Sequence, residues 1–177
     1  MIFRETPISG AYLIELESLV DERGSFARTF AVEEFEAHGL DTRVVQCNTS
    51  VSVRAGTVRG MHYQVPPRAE AKLVRCTRGS IFDVVVDLRT DSPTYCDWYG
   101  AELAASNGRM LFVPVGLAHG FQTLEDDTEV LYQMSEQYSA EHARGVRWDD
   151  PAFGIEWPEV PERTISKRDR EYADFRR

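Results

Sequence analysis

Cysteine is scarce in this 177-residue chain: Cys47, Cys76 and Cys96 are an odd three, with no C-x-x-C spacing among them. That excludes a disulfide framework and argues against a structural zinc site, leaving three small buried thiols in a reducing compartment as the expectation. Long apolar runs are missing too. No stretch approaches the ~18 residues of a membrane span, and the N-terminal MIFRETPISG holds no apolar run of signal-peptide length. A cytoplasmic protein with no membrane contact is expected. Positive charge is in deficit, with 20 Lys and Arg against 29 Asp and Glu and a net charge of -9. A protein that grips nucleic acid by neutralising phosphates needs the opposite balance, so nucleic acid is not an expected partner. A small anionic ligand needs only a few placed arginines and stays open. Repeats, low-complexity tracts and Ser/Gly linkers are absent, which predicts one domain over residues 1–177.

What is present reads mostly as short strands. In Ile81–Leu88, Phe82, Val84, Val86 and Leu88 share one face and Asp83 and Asp87 the other, a period of two. Similar segments are Ala11–Leu16, Val44–Val53, Thr57–Gln64, Lys72–Thr77, Trp98–Ala104, Arg109–Val113 and Glu129–Met134. Turn chemistry separates them at Arg54-Ala55-Gly56, Arg78-Gly79-Ser80, Asp91-Ser92-Pro93 and Ser106-Asn107-Gly108. One short helix is predicted over Val32–Ala37, with Gly39 placed to stop it. Many strands and few helices predict an antiparallel sandwich or barrel.

Two spacings narrow this. Gly56-x5-His62-x-Gln64, with Glu70 and Gly79 downstream, resembles the first motif of the cupin barrels, and Gly108-x5-Pro114-x-Gly116-x2-His119 resembles the second. The resemblance implies an all-β fold: a cupin-like jelly-roll barrel of antiparallel strands with a few short helices and the site inside. Cupins usually hold a metal through two histidines and a glutamate of the first motif and a histidine of the second. Here Gln64 replaces one histidine, and an amide is a poor ligand for transition metals beside imidazole. No metal or other cofactor is expected, so His62 and His119 need another task. His38 and His142 read as hydrogen-bonded structural residues.

Val58-Arg59-Gly60-Met61-His62-Tyr63-Gln64 is chemically the richest segment. Strict alternation sets Arg59 and His62 on opposite faces, so both reach one cavity only if Gly60 seats a bulge. Lys72 opens the next strand. A base, a cation and an arginine on adjacent strands suit an anionic substrate with a carbonyl to polarise.

At this point seven motifs align in order with a known family: Asp21-Glu22-Arg23-Gly24, Arg59-Gly60-Met61-His62-Tyr63-Gln64, Lys72-Leu73-Val74-Arg75, Ala118-His119-Gly120-Phe121, Val130-Leu131-Tyr132-Gln133, Arg144-Gly145-Val146-Arg147-Trp148 and Ser166-Lys167-Arg168-Asp169. Over essentially its whole length the chain resembles the dTDP-4-dehydrorhamnose 3,5-epimerases. The resemblance implies inversion of C3 and C5 of a dTDP-linked 4-keto-6-deoxyhexose. Both carbons are alpha to the C4 ketone, so a base, an enolate stabiliser and an acid on the opposite face suffice. It assigns His62 as the base with Asp169 as its dyad partner, Lys72 as enolate stabiliser and Tyr132 as acid. It places His119, Arg59, Tyr138, Gln46, Asn48 and Arg168 around the substrate, Arg59 toward the diphosphate. Arg23 and Phe26 would complete the nucleotide site of a second subunit, implying a homodimer. On their own, Asp169 reads as part of a solvated charged tail, Tyr132 as a core tyrosine and Lys72 as an exposed strand lysine.

Three positions depart from the family pattern. Arg28 stands where an acid near the thymine is common, Arg168 where lysine is common, and Cys47 where an aspartate sits between Gln46 and Asn48. The rival reading is a sister epimerase that inverts only C3 or only C5. Further alternatives are a metal-dependent cupin and a non-enzymatic sugar-nucleotide-binding barrel.

Overall fold

The alternating segments become strands, and the strands pair across long sequence separations. In the computed structural model, which describes residues 1–176, the first seven strands are β1 (Ile2–Glu5), β2 (Tyr12–Glu15), β3 (Leu19–Asp21), β4 (Gly24–Phe26), β5 (Gln46–Ser52), β6 (Thr57–Gln64) and β7 (Lys72–Arg78). They are followed by β8 (Ser80–Asp87), β9 (Trp98–Ala104), β10 (Met110–Val113), β11 (Leu117–Thr123), β12 (Thr128–Met134), β13 (Ala143–Gly145) and β14 (Thr164–Ile165). Helix α1 (Val32–Glu36) lies between β4 and β5, and α2 (Lys167–Arg170) follows β14. One sheet runs β1-β2-β10-β7-β12-β5 and a second runs β13-β6-β11-β8-β9, while β3 and β4 form a separate hairpin. The pairings are antiparallel except for β14, which joins β6 in parallel. This is the cupin-like jelly roll.

The predicted strands all form, with small shifts at their ends. The predicted helix forms as α1, with Ala37 capping it and Gly39 turning the chain away at φ +69°. Strand β11 gave no alternation because it is buried on both faces along its whole length. Strands β13 and β14 are too short to show a period.

A shared core lies between the sheets. Val74, Cys76, Leu111, Val113 and Val130 come from the first sheet, and Ile81, Val85, Leu103, Leu117 and Phe121 from the second. The Asp83 face of β8 is this interior one, so Asp83 and Asp87 are each 0% exposed. Val84, Val86 and Met61 face outward, but a second cluster with Phe153 and Trp157 covers them. Burial on both faces is what hid the true orientation of β8.

The bulge required at Gly60 is present. His62 pairs with His119 and Arg59 with Phe121, which leaves two residues on β6, Gly60 and Met61, against one on β11, Gly120. Gly60 holds φ +140°, and a Cβ there would meet the Cα of Gly120 at 2.5 Å, a distance no side chain tolerates. Two facing glycines let the backbones approach, and the extra residue turns Arg59 and His62 to the same side.

Candidate active site

One end of the space between the sheets is polar. Asn48 and Ser50 of β5, Arg59, His62 and Gln64 of β6, Lys72 of β7, His119 of β11 and Tyr132 of β12 line a cavity of about 240 Å³. Each comes from the inward face of its strand: Lys72 shares the side of Val74, His119 that of Leu117 and Phe121, and Tyr132 that of Val130. Alternation therefore carries these polar groups inward in line with the core.

His62 Nε2 donates to Asp169 Oδ1 at 2.7 Å. Asp169 reaches it because β14 docks on β6 at Thr57 and Val58, and α2 then starts beside the bulge. Ser166 caps α2, its hydroxyl accepting from the Asp169 N–H at 3.1 Å, and the Gly60 N–H donates to Asp169 Oδ2 at 3.4 Å. Burial works against the Asp169 charge, but the His62 hydrogen bond and charge, with Gly60 and Ser166, outweigh it and hold the carboxyl below the usual range. Asp169 is thus buried, not part of a solvated tail. With Nε2 engaged, Nδ1 is the His62 nitrogen left to take a proton.

Lys72 is also buried rather than exposed on its strand. Its ammonium donates to the His62 carbonyl at 2.9 Å and lies 3.2 Å from Glu70 Oε1. Burial pushes the ammonium below the usual lysine range, while Glu70 and Asp83 oppose that. Tyr132 is half-buried, its ring edge-on to His119 at 6.0 Å between centroids. Burial, reinforced by the Asp83 charge, pushes its hydroxyl well above the usual tyrosine range and keeps it protonated.

His119 Nε2 donates to Asp83 Oδ1 at 2.8 Å, and Asp83 Oδ2 is buried with no hydrogen bond. Sequence reasoning missed Asp83 as a site residue; an acid inside the apolar run Ile81–Leu88 was the available signal. Glu70, singled out in the sequence only as the cupin glutamate, lines the cavity, as does Arg144, which was missed, as was Tyr172, whose ring lies 6.4 Å from that of His62.

The rim is built from the remaining expected residues. Arg59 donates to Ser52 Oγ at 3.2 Å and to the Val51 carbonyl at 3.1 Å, which ties it to β5. Arg168 and Tyr138 flank the opening. Gln46 sits one step back, donating to Asn48 Oδ1 at 2.9 Å and accepting from the Tyr138 N–H at 3.0 Å. Arg23 and Phe26 lie elsewhere: both are on the β3–β4 hairpin, with side chains facing solvent, and they line a separate surface patch. Arg28 pairs with Glu34 at 2.8 Å, and Cys47 is an exposed free thiol.

The cupin metal positions are otherwise engaged. His62 faces Asp169, Glu70 faces Lys72, His119 faces Asp83, and Gln64 Nε2 donates to the Arg68 carbonyl at 2.7 Å. Among the described residues no three His, Cys, Asp or Glu side chains converge in a metal-binding group. No helix there is long and apolar enough to cross a membrane.

The sequence profile of the dTDP-4-dehydrorhamnose 3,5-epimerase family matches residues 5–177. The chain is 48% identical over 169 residues to the dTDP-4-dehydrorhamnose 3,5-epimerase of Sinorhizobium fredii, covering 96% of this chain and 87% of that protein. It is 46% identical over 176 residues to the enzyme of the same name from Methanothermobacter thermautotrophicus, covering 98% and 94%. The crystal structure of the Bacillus anthracis dTDP-4-dehydrorhamnose 3,5-epimerase, with TDP and PPi bound, superposes with a TM-score of 0.94 at 42% identity, over 98% of this chain and 99% of that one. A jelly roll of this topology, a cavity with this constellation and relatives this similar along the whole chain establish that the protein belongs to the dTDP-4-dehydrorhamnose 3,5-epimerase family.

Proposed function

We propose that the chain converts dTDP-4-keto-6-deoxy-D-glucose to dTDP-4-keto-L-rhamnose by inverting C3 and C5. The observation that carries this reading is the presence, in one cavity, of a carboxylate-backed imidazole, a buried ammonium and a protonated tyrosine. The C4 ketone acidifies the protons on both neighbouring carbons. His62 Nδ1 takes the proton, and Asp169 balances the imidazolium that forms. The Lys72 ammonium faces the developing enolate oxygen, where water is excluded and a fixed charge counts for more than in solution. Tyr132 returns a proton from the opposite side. Repetition at the second carbon completes the reaction, and the chemistry calls for no cofactor.

Arg59 and Arg168 at the rim suit a diphosphate, since a planar fork of donors matches anionic oxygens. The solvent-facing Arg23 and Phe26, at 85% exposure of the Arg23 side chain and 74% of Phe26, support a homodimer in which each hairpin completes the other subunit's nucleotide site. A cytoplasmic location belongs to the same reading, and three free thiols suit a reducing compartment.

The test is NMR of the sugar protons after incubation with dTDP-4-keto-6-deoxyglucose in deuterated water, without added metal. Deuterium at C3 and C5 is the expected result. Label at one carbon would make the protein a single-site epimerase, and no label would reject the enolate route for this substrate.

A further inference from the structure

Only two lysines occur in the chain, Lys72 and Lys167, although Lys and Arg together number 20. Lys167 is on the surface, its side chain 85% exposed, whereas the Lys72 side chain is 7% exposed. A buried ammonium survives only beside a compensating charge. Glu70 provides it from the turn before β7, with Oε1 at 3.2 Å and a side chain 3% exposed. Its other oxygen, Oε2, is buried and accepts no hydrogen bond. Among the described residues no arginine pairs with Glu70, and its ion-pair partner is Lys72.

We propose that Glu70 is a positioning residue: a fixed counter-ion that holds Lys72 as an ammonium, aimed into the cavity between the His62 carbonyl and the substrate. Asp83 on β8 adds a second, more distant negative charge. Arg59, His62 and Tyr63 of β6, His119 of β11, Tyr132 of β12, Arg144 of β13 and, at the opening, Tyr138 and Arg168 are the other charged and titratable groups around the cavity. Among them Glu70 is the carboxylate in ion-pair contact with Lys72. The catalytic consequence rests on the epimerase reading; the charge relationship does not.

The presence of just two lysines makes a direct test clean. Protein carrying ¹³C at the lysine ε-carbon gives two titrating signals, with Lys167 as an internal reference. In Glu70→Gln, which keeps the shape and removes the charge, the Lys72 midpoint is expected to fall by about 1 to 3 pH units while Lys167 stays fixed. Glu70→Asp is expected to retain at least half of the difference and serves as the second variant should the glutamine form not fold. In the exchange assay, Glu70→Gln should lose kcat first on the alkaline side, with KM nearly unchanged. A Lys72 midpoint that is the same in the wild type, Glu70→Gln and Glu70→Asp overturns the proposal. Failure of the epimerase reading would appear instead as absence of deuterium uptake in the wild type, with the titration unaffected.

Discussion

His62 and His119 face each other as a register pair across β6 and β11, and each presents Nε2 to a buried aspartate, Asp169 at 2.7 Å and Asp83 at 2.8 Å. The pairs differ in access. The His62 side chain is 41% exposed and that of His119 4%. Open access suits proton transfer, and enclosure suits a fixture that shapes the cavity wall. Asp169→Asn is therefore expected to slow deuterium uptake at both carbons by about 10²-fold or more, with little change in melting temperature. Asp83→Asn should show the reverse balance, with a loss of about 1–3 kcal/mol in stability because a buried partner is left mismatched. Exchange rates and denaturant titrations of the two variants check this. Equal effects on both readouts would remove the distinction.

Tyr132→Phe keeps the ring beside His119 and Phe121 but deletes the hydroxyl. Proton abstraction by His62 should persist, while delivery to the opposite face fails. Substrate recovered from deuterated water should carry label without inversion, and net turnover should fall by about 10²-fold or more. Unimpaired inversion would assign the acid to another group.

Gly120→Ala tests the bulge. A Cβ at Gly120 would meet Met61 Sδ at 2.7 Å, the Arg59 carbonyl at 2.8 Å and Gly60 Cα at 2.9 Å. Two of these three are backbone atoms on the bulged strand, so β6 must shift away from β11. That displaces Arg59 and His62 together, and a shift near 1 Å costs about 10² in rate. Loss of activity is expected at a stability cost of about 1–3 kcal/mol, read from paired kinetic and unfolding measurements.

Asp87 gives a stability effect remote from the cavity. Burial opposes its ionisation, but donors from Arg89, Ser92 and Thr94 hold its carboxyl down at about 2, against an ordinary 3.8. Arg89 Nη2 and Thr94 Oγ1 both donate to Oδ2 at 2.7 Å, and Ser92 Oγ does so at 2.6 Å. A depressed folded-state value stabilises above the unfolded one. The contribution, about 2 kcal/mol, is therefore complete above pH ~5 and lost as pH falls toward 2. Asp87→Asn should flatten that part of the stability–pH curve and lower stability at pH 7.

Period-two alternation located eight of the strands, β2, β5 to β10 and β12, and the family resemblance brought His62, Lys72, His119 and Tyr132 to the site. Even the Gly60 bulge was required in advance, because Arg59 and His62 have the wrong parity without it. Those are local properties, fixed by the geometry of an extended backbone over a few residues. The family resemblance, also read from the chain, carried Asp169 to the site from a segment that otherwise looks like a charged surface.

Tertiary structure alone decided which charges are buried and what they face. Asp169 is 107 residues from His62 in sequence and meets it because two residues of β14 dock on β6. Asp83 lies inside because β8 is covered on both sides, and Lys72 is enclosed with Glu70 because β7 lies in the middle of its sheet. Arg23 and Phe26 stay outside the cavity of their own chain. The period of a strand shows which residues share a face. What covers that face, and so the dielectric and the partners its charges meet, depends on strands distant in sequence and is set only when the sheets close on each other.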